Sequence, residues 1–400
     1  MKVLVIFADM LRANRLSTFN DAVEIDTAID TNFRELGGTI YKNCFTPGPD
    51  TPRGISTFTS GIPPHLNGCD IRIKWTRDFL HPHLKTVYDL FLEKDYKIDL
   101  LSDPRERAIG LFPENISNMT VHNSDYYDID QYLDEIVIED DHFIMLCLPQ
   151  FHWTLDALGA SENGEKHALN DISLAFNKVF NKLDKDIFDH IFVFSDHGFK
   201  FTHEVRMSPD FMLLNEDRTH TVLIHRKKFD SKLTFNDKLC SLADIYPTFE
   251  ELLGNNPNGL SLFSEKVREY IVIEDHIKFN PEVNQNIELW AVVNKTSIYI
   301  RTLTEAFVIE RKSLQVVEGS VEYFDKILEE ESSYLKYKIE YEKAFVYHLN
   351  LQSHVGNDYD KLYDFRRKKR APLISNYFKT KDMLFRLIKN RLPSKNIVNE

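Results

Sequence analysis

VLVIFAD, residues 3–9, decides the fold. Its unbroken apolar run shows no alternation, which is how a strand reads when both faces are buried, as in a parallel sheet covered by helices. Asp9 stands at the exit of that run, at the carboxyl edge where open α/β sheets place their sites. HIFVF at 190–194 repeats the pattern and delivers Asp196 and His197 to the same edge. Two carboxylates and an imidazole converging there suit a divalent cation, most simply zinc or manganese.

Outward from these two runs, apolar stretches alternate with helical ones over residues 1–265, as a doubly wound, mostly parallel α/β sheet requires. Strands are expected at 2–7, 97–101, 143–148, 190–194 and 221–225, and helices at 83–95, 165–184 and 239–253. After NGLSLF (258–263) the character changes. YIVIED (270–275), ELWAVVN (288–294), TSIYIRTL (296–303) and EAFVIER (305–311) are short, β-rich and separated by turns, which predicts a smaller antiparallel sheet within residues 266–360. The charged segment 319–346 reads as helical, and residues 361–400 form a basic tail.

The segment TPGPDTPRGISTFTSGIPPHLNG (46–68) supplies a nucleophile. Thr51 lies in a Pro/Gly-rich loop just before a small-residue stretch expected to be helical. A hydroxyl near a helix start and a metal is placed to ionise and attack, and free amides at that start can hold an anion. Arg53, two residues on, is a candidate partner for a phosphate oxygen.

Together these segments resemble the alkaline phosphatase superfamily, in particular its sulfatase-like and phosphodiesterase-like branches. There a nucleophilic Thr, Ser or modified Cys stands ten residues before the Gly of a T-G-x-x-P-x-x-x-G signature, the spacing of Thr51 and Gly61 in SGIPPHLNG. SDHG (195–198), SLADIYPTFEELLG (241–254), NGLSLF and KLYDF (361–365) follow in family order. The resemblance implies an alkaline-phosphatase-like fold and one divalent metal per chain held by Asp9, Thr51, Asp196 and His197, with zinc or manganese ahead of calcium or magnesium.

It also suggests roles for other residues. His152 resembles the His that phosphoethanolamine-type transferases place in an S-H-G-P turn, so His152 or His203 is the expected general acid and base. Asp156 in LDALGA resembles the D-x-x-G-H of a second zinc site, but Ala160 replaces its His, so a complete second site is not expected. Asp156, His220 and Arg53 are then candidate substrate contacts. A formylglycine sulfatase fits poorly, because oxidising Thr51 would give a ketone, and the second Asp of the sulfatase D-D pair is Met10. The implied chemistry is phosphoryl transfer or phosphodiester cleavage through Thr51, with a phosphoethanolamine- or phosphoglycerol-type group moved to a surface-glycan precursor as one form. A sulfatase, or a binding module with weakened catalysis, are the alternatives.

Four hundred residues with 42% hydrophobic content can bury a large core. The four cysteines, Cys44, Cys69, Cys147 and Cys240, lack CxxC spacing and read as reduced, buried thiols. Met1 leads directly into a strand, and no apolar run reaches membrane-spanning length, so a cytoplasmic chain is expected. Charge is uneven: residues 361–400 carry twelve Lys/Arg against three acids, which leaves residues 1–360 at −22 of the net −13. RRKKR (366–370) precedes an amphipathic stretch with Met383, Leu384, Leu387, Ile388 and Leu392 on one face. Residues 366–392 are expected either to lie peripherally on an anionic inner leaflet or to dock on the acidic body. Nothing in them favours nucleic acid. The expected partners are a phosphate-ester or phospholipid-type substrate and a glycan acceptor, and the sequence leaves the oligomeric state open.

Overall fold

The computed structural model describes residues 1–69, 80, 84–102, 117–123, 129–201, 214–278, 286–301, 306–313, 315–319, 321–328 and 330. They belong to one compact unit, Met1–Glu330, that contains two sheets. The larger is built from β1 (Lys2–Ala8), β2 (Gly38–Phe45), β3 (Lys97–Ser102), β4 (Met119–Asn123), β5 (His142–Leu148), β6 (His190–Phe194), β7 (Leu223–Lys227) and β8 (Leu233–Ser241). Their order is β4-β3-β5-β1-β6-β7-β2-β8. Only β7 runs antiparallel to its neighbours.

The unbroken apolar character of residues 3–7 is explained by the place of β1 between β5 and β6. Val3, Val5 and Phe7 enter a core with Tyr88, Phe91, Phe143 and Phe249. Leu4, Ile6 and Ala8 enter another with Phe33, Phe151, Ile172 and Phe176. Neither face meets water, and each fully buried side chain of this size contributes about 1.5–3 kcal/mol. The helix Glu162–Lys182, which covers the second face, starts where the Ser161 hydroxyl accepts from Gly164 N at 3.2 Å. Its Ala168, Ile172, Ala175, Phe176 and Val179 recur at three- and four-residue spacing and are all buried. Thr86 and Asp89 cap the helix Val87–Leu92 reciprocally, so it begins later than the 83–95 periodicity suggested.

The smaller sheet, β9 (Ile271–Lys278), β10 (Asn286–Val293), β11 (Ser297–Arg301), β12 (Ala306–Glu310) and β13 (Val316–Val317), is antiparallel throughout. Asn294 turns β10 into β11 by accepting from the amides of Thr296 and Ser297 at 2.9 and 2.8 Å. A helical segment at 321–328 packs Phe324 and Ile327 on Tyr299 and Val308.

All five strands expected in the first 265 residues are present, and β2, β4 and β8 are added to them. The stretch 239–253 is not one helix: Leu239, Cys240 and Ser241 end β8, and the α-helix spans Ile245–Leu252. Its first residues pair with Asn43, Cys44 and Phe45 of β2, a partner nearly two hundred positions away that local periodicity does not reveal. Residue 265 falls in the connection between Leu252 and Ile271. KLYDF and the basic tail lie outside the described residues. Among those described, no helix is long and apolar enough to cross a membrane.

A buried carboxylate ties three strands of the larger sheet together. Asp99 of β3 lies 2.8 Å from His142 Nε2 of β5 and 3.0 Å from His122 Nε2 of β4. His142 Nδ1 accepts from Glu139 N at 3.3 Å, so its proton sits on the nitrogen facing Asp99. Burial works against the charge of Asp99, but the two imidazoles and Lys97 outweigh it and hold the carboxyl below its usual range. A depressed carboxyl stabilises the fold above its unfolded value of 3.8, and that contribution is lost as pH falls through the folded value. Asp99→Asn is therefore expected to cost roughly 2–4 kcal/mol at pH 7. In urea titrations the gap to the wild type should shrink below pH 3.8, and a constant gap would refute the assignment.

Candidate metal centre and active site

Three chain segments converge at the carboxyl edge of β1 and β6. The register pairs Ala8 with Leu148 and Phe7 with Phe194, so Asp9 and Asp196 emerge side by side. After β1 the chain turns through Met10, whose φ of 66° lies in the left-handed region. That turn aims Met10 N–H at Asp196 Oδ1, 3.0 Å away, and His197 N–H donates to the same oxygen at 2.8 Å. Thr51 opens the buried helix Thr51–Ser60. Gly54, one turn on, lets that helix press against the exit of β6: a Cβ there would stand 2.7 Å from the Asp196 carbonyl oxygen. Thr51 Oγ1 thereby reaches 3.4 Å from Asp9 Oδ1 and 3.3 Å from His197 Nε2.

The protons of this cluster can be assigned from geometry. His197 Nδ1 lies 2.6 Å from the Gly198 carbonyl oxygen, which only accepts, so Nδ1 carries the proton and Nε2 presents a lone pair. Asp196 Oδ2 faces that nitrogen at 3.4 Å; it is buried and receives no hydrogen bond of normal geometry among the described residues. One ligand atom from each of Asp9, Asp196 and His197 falls within 4.8 Å of the others, and all three residues are buried. Burial, reinforced by the charge of Asp9 and opposed by His197, pushes Asp196 up to about 6. Carboxylate and imidazole lone pairs gathered out of water repel one another, and a cation or proton among them relieves that repulsion. The set Asp9, Asp196 and His197, with the Thr51 hydroxyl beside it, fits a divalent cation in ligand type and spacing.

His152 is the third residue of the helix Gln150–Leu158, which follows β5. Its Nδ1 lies 2.7 Å from Asp9 Oδ2, so it donates to a carboxylate of the cluster. Its other nitrogen faces the exposed Asp156 at 3.6 Å. Asp156 thus stands at the rim, beside His152. His203 lies outside the described residues.

Two of the candidate substrate contacts, Arg53 and His220, are held by partners inside the fold. Arg53 is fully buried: Nε and Nη2 bind Asp50 Oδ2 at 3.0 and 2.5 Å, Nη2 binds Asp275 Oδ1 at 2.6 Å, and Nη1 binds the Glu274 carbonyl oxygen at 3.1 Å. His220 stacks on Phe45 and gives its Nε2 proton to the Lys42 carbonyl oxygen at 2.8 Å. Burial lowers the pKa of His220, which keeps that ring neutral. The helix start is also less open to an anion than expected. Arg53 N donates to Asp50 Oδ1 at 3.1 Å, Gly54 N to the Asp50 carbonyl oxygen at 2.8 Å, and Pro52 has no N–H.

Sequence reasoning missed the groups that hold the site. Arg12 binds Glu165 through Nε and Nη2 at 2.9 and 2.5 Å and the Phe199 carbonyl oxygen at 3.2 Å, and it lies over the Phe199 ring at 4.0 Å. It thereby clamps the segment after His197. The signal for Glu274 and Asp275 was an acidic pair closing the apolar run YIVI, where solvated acids are not expected.

No family model and no curated protein matches the sequence. Solved structures do match in three dimensions. One, described as a 2-O GAG sulfatase, aligns with a TM-score of 0.62 at 13% identity, covering 85% of this chain and 92% of that one. The phosphonate monoester hydrolase of Agrobacterium radiobacter aligns at 0.59 and 12% identity, covering 85% and 95%. A protein of the alkaline phosphatase superfamily from Vibrio parahaemolyticus aligns at 0.53 and 13%, covering 81% and 83%. The fold is that of the alkaline phosphatase superfamily, as the ordered motifs implied.

If the acceptor cluster holds a cation, chelation must loosen the fold, since anything that binds only the native state stabilises it. Purified wild-type protein is expected to melt several degrees lower after EDTA and to recover on return of the metal. His197→Ala should melt at one temperature with and without EDTA. An EDTA-sensitive His197→Ala would place the cation elsewhere.

Proposed function

We propose that the protein is a metal-dependent enzyme that cleaves phosphoryl esters, phosphodiesters foremost, with Thr51 as nucleophile. The observation that supports this reading is the Thr51 hydroxyl, buried between Asp9 Oδ1 and the lone pair of His197 Nε2. A scaffold has no physical need for a hydroxyl against converging anions, which argues against the binding-module reading.

Asp9, Asp196 and His197, with Thr51, would hold zinc or manganese, and that ion would supply positive charge for an ionised hydroxyl and a nonbridging phosphoryl oxygen. The chain does the rest. Gly198 fixes the tautomer of His197, so the Thr51 proton faces acceptors on both sides. Thr51 Oγ attacks phosphorus in line, the bond to the leaving oxygen breaks, and a phosphothreonine forms. His152, oriented through Nδ1 by Asp9, offers Nε2 at the partly open side of the cluster. In its doubly protonated form it gives the Nε2 proton to the departing alcohol; it then takes the proton of the entering water or alcohol, whose oxygen bonds to phosphorus as the bond to Thr51 Oγ breaks, and the phosphoryl group leaves on that oxygen.

With water as acceptor the reaction is hydrolysis. With a glycan hydroxyl it is transfer of a phosphoethanolamine- or phosphoglycerol-type group, the form that the motif around His152 suggests. The amphipathic basic pattern of 366–392 suits a lipid donor at an anionic surface. Sulfate-ester hydrolysis is the second reading, favoured by the sulfatases among the structural neighbours and opposed by Thr51, which cannot become an aldehyde.

Bis-p-nitrophenyl phosphate and p-nitrophenyl sulfate separate these readings. Thr51→Ala is expected to lower kcat on the phosphodiester by roughly a thousandfold or more, while Thr51→Ser keeps measurable turnover. Turnover of the sulfate alone, or full activity of Thr51→Ala, would contradict the reading.

A further inference from the structure

Beneath the nucleophile loop, four side chains that take no part in the proposed reaction form a continuous chain of ion pairs: Asp50, Arg53, Asp275 and Arg218. Arg53 Nη2 donates to Asp50 Oδ2 at 2.5 Å and to Asp275 Oδ1 at 2.6 Å, and Arg218 Nη1 donates to Asp275 Oδ2 at 2.8 Å. Asp275 has no solvent exposure and the Arg53 side chain has 1%. Removing such charges from water is so costly that an apolar filling of the same volume is often as stable or more so. Bulk stability is therefore a weak reason for the arrangement.

Its geometry gives a better one. Asp275 belongs to β9 of the smaller sheet, yet the hydrogen bonds around it reach Pro47, Pro49 and Asp50 of the turn that carries Thr51. Glu274 N donates to the Pro47 carbonyl oxygen at 2.9 Å, and Arg218 Nη2 to that of Pro49 at 3.2 Å. Gly48 folds over Arg53 so closely that a Cβ there would stand 2.5 Å from Arg53 Cβ. Asp50, bound twice to the Arg53 guanidinium, caps the helix that Thr51 opens. At the other end, the Arg218 carbonyl oxygen accepts from Gly198 N at 2.9 Å, next to His197. One chain of contacts thus runs from the residue before Thr51 to the residue after His197, and Asp275 is its middle link.

We propose that Asp275 is a positioning residue for Thr51: by binding Arg53 and Arg218 together it sets the separation between the nucleophilic hydroxyl and the His197 imidazole. The proposal rests on Thr51 being the nucleophile, and it assigns to the smaller sheet a part in the chemistry of the larger.

The test uses the full chain, loaded with zinc or manganese, and bis-p-nitrophenyl phosphate. In Asp275→Asn, kcat per metal-loaded chain is expected to fall about 10- to 100-fold, with KM held within about twofold and metal content unchanged. A loss of folded protein alone does not produce coupling, so Thr51→Ser is measured alone and combined with Asp275→Asn. The combined loss should be smaller than the product of the single losses. Should Asp275→Asn fail to fold, Arg218→Met, which leaves Arg53 paired with both carboxylates, carries the same test with a smaller fall in kcat at constant KM. A kcat within about twofold of wild type in a folded, metal-loaded variant, or losses that simply multiply, would overturn the proposal while leaving the nucleophile in place. Full turnover by Thr51→Ala would instead sink the nucleophile and this proposal with it.

Discussion

Everything at the carboxyl edge of the larger sheet follows from one electrostatic constraint: acceptor atoms of Asp9, Asp196 and His197 are gathered into one buried space, with the Thr51 hydroxyl between Asp9 and His197. Each element around them enforces the crowding. The central place of β1 brings two strand exits together, and the left-handed turn at Met10 ties one exit to the carboxylate of the other. The Gly198 carbonyl oxygen turns the His197 lone pair inward, and Gly54 admits the helix that brings in Thr51. Positive charge would relieve that crowding, and the same charge is what would ionise a threonine at neutral pH.

Around this centre lie buried ion networks on both sides. Arg12 joins the exit of β1 to the helix Glu162–Lys182 and to Phe199. Arg53 and Arg218 join the turn before Thr51 to β9. Asp275 remains charged despite its burial, because the two guanidiniums outweigh the loss of water and hold its carboxyl well below the usual range. Guanidinium suits these places: its planar fork binds several carboxylate and carbonyl oxygens at once and stays protonated when buried. The networks tie the turns around the four central residues to the long helix and to β9.

How much of this could be read from the sequence depended on the range of the interactions. Strands β1 and β6 were legible because burial on both faces leaves an unbroken apolar run, and their exits named Asp9, Asp196 and His197. Thr51 was legible through its ten-residue spacing to Gly61, a helix-end glycine with φ of 69°. Strand β8 was not, because Leu239 and Cys240 declare themselves only against β2. Arg53 was read as a substrate contact because nothing nearby in the chain announces Asp275, more than two hundred residues later. The surroundings of His220 were hidden for a related reason: its neighbours in sequence are polar, but its neighbours in space are Phe45 and the Lys42 carbonyl. Local pattern found the groups that emerge from strands and missed the partners that the fold brings to them.

The central claim, that the cluster exists to hold a divalent cation, is tested most directly by anomalous diffraction from crystals of the protein grown with zinc or manganese. The account predicts a strong peak ligated by Asp9, Asp196 and His197, with the Thr51 hydroxyl turned toward it. A peak bound elsewhere, or a cluster closed around a proton shared by Asp196 with no metal present at saturating concentration, would contradict it.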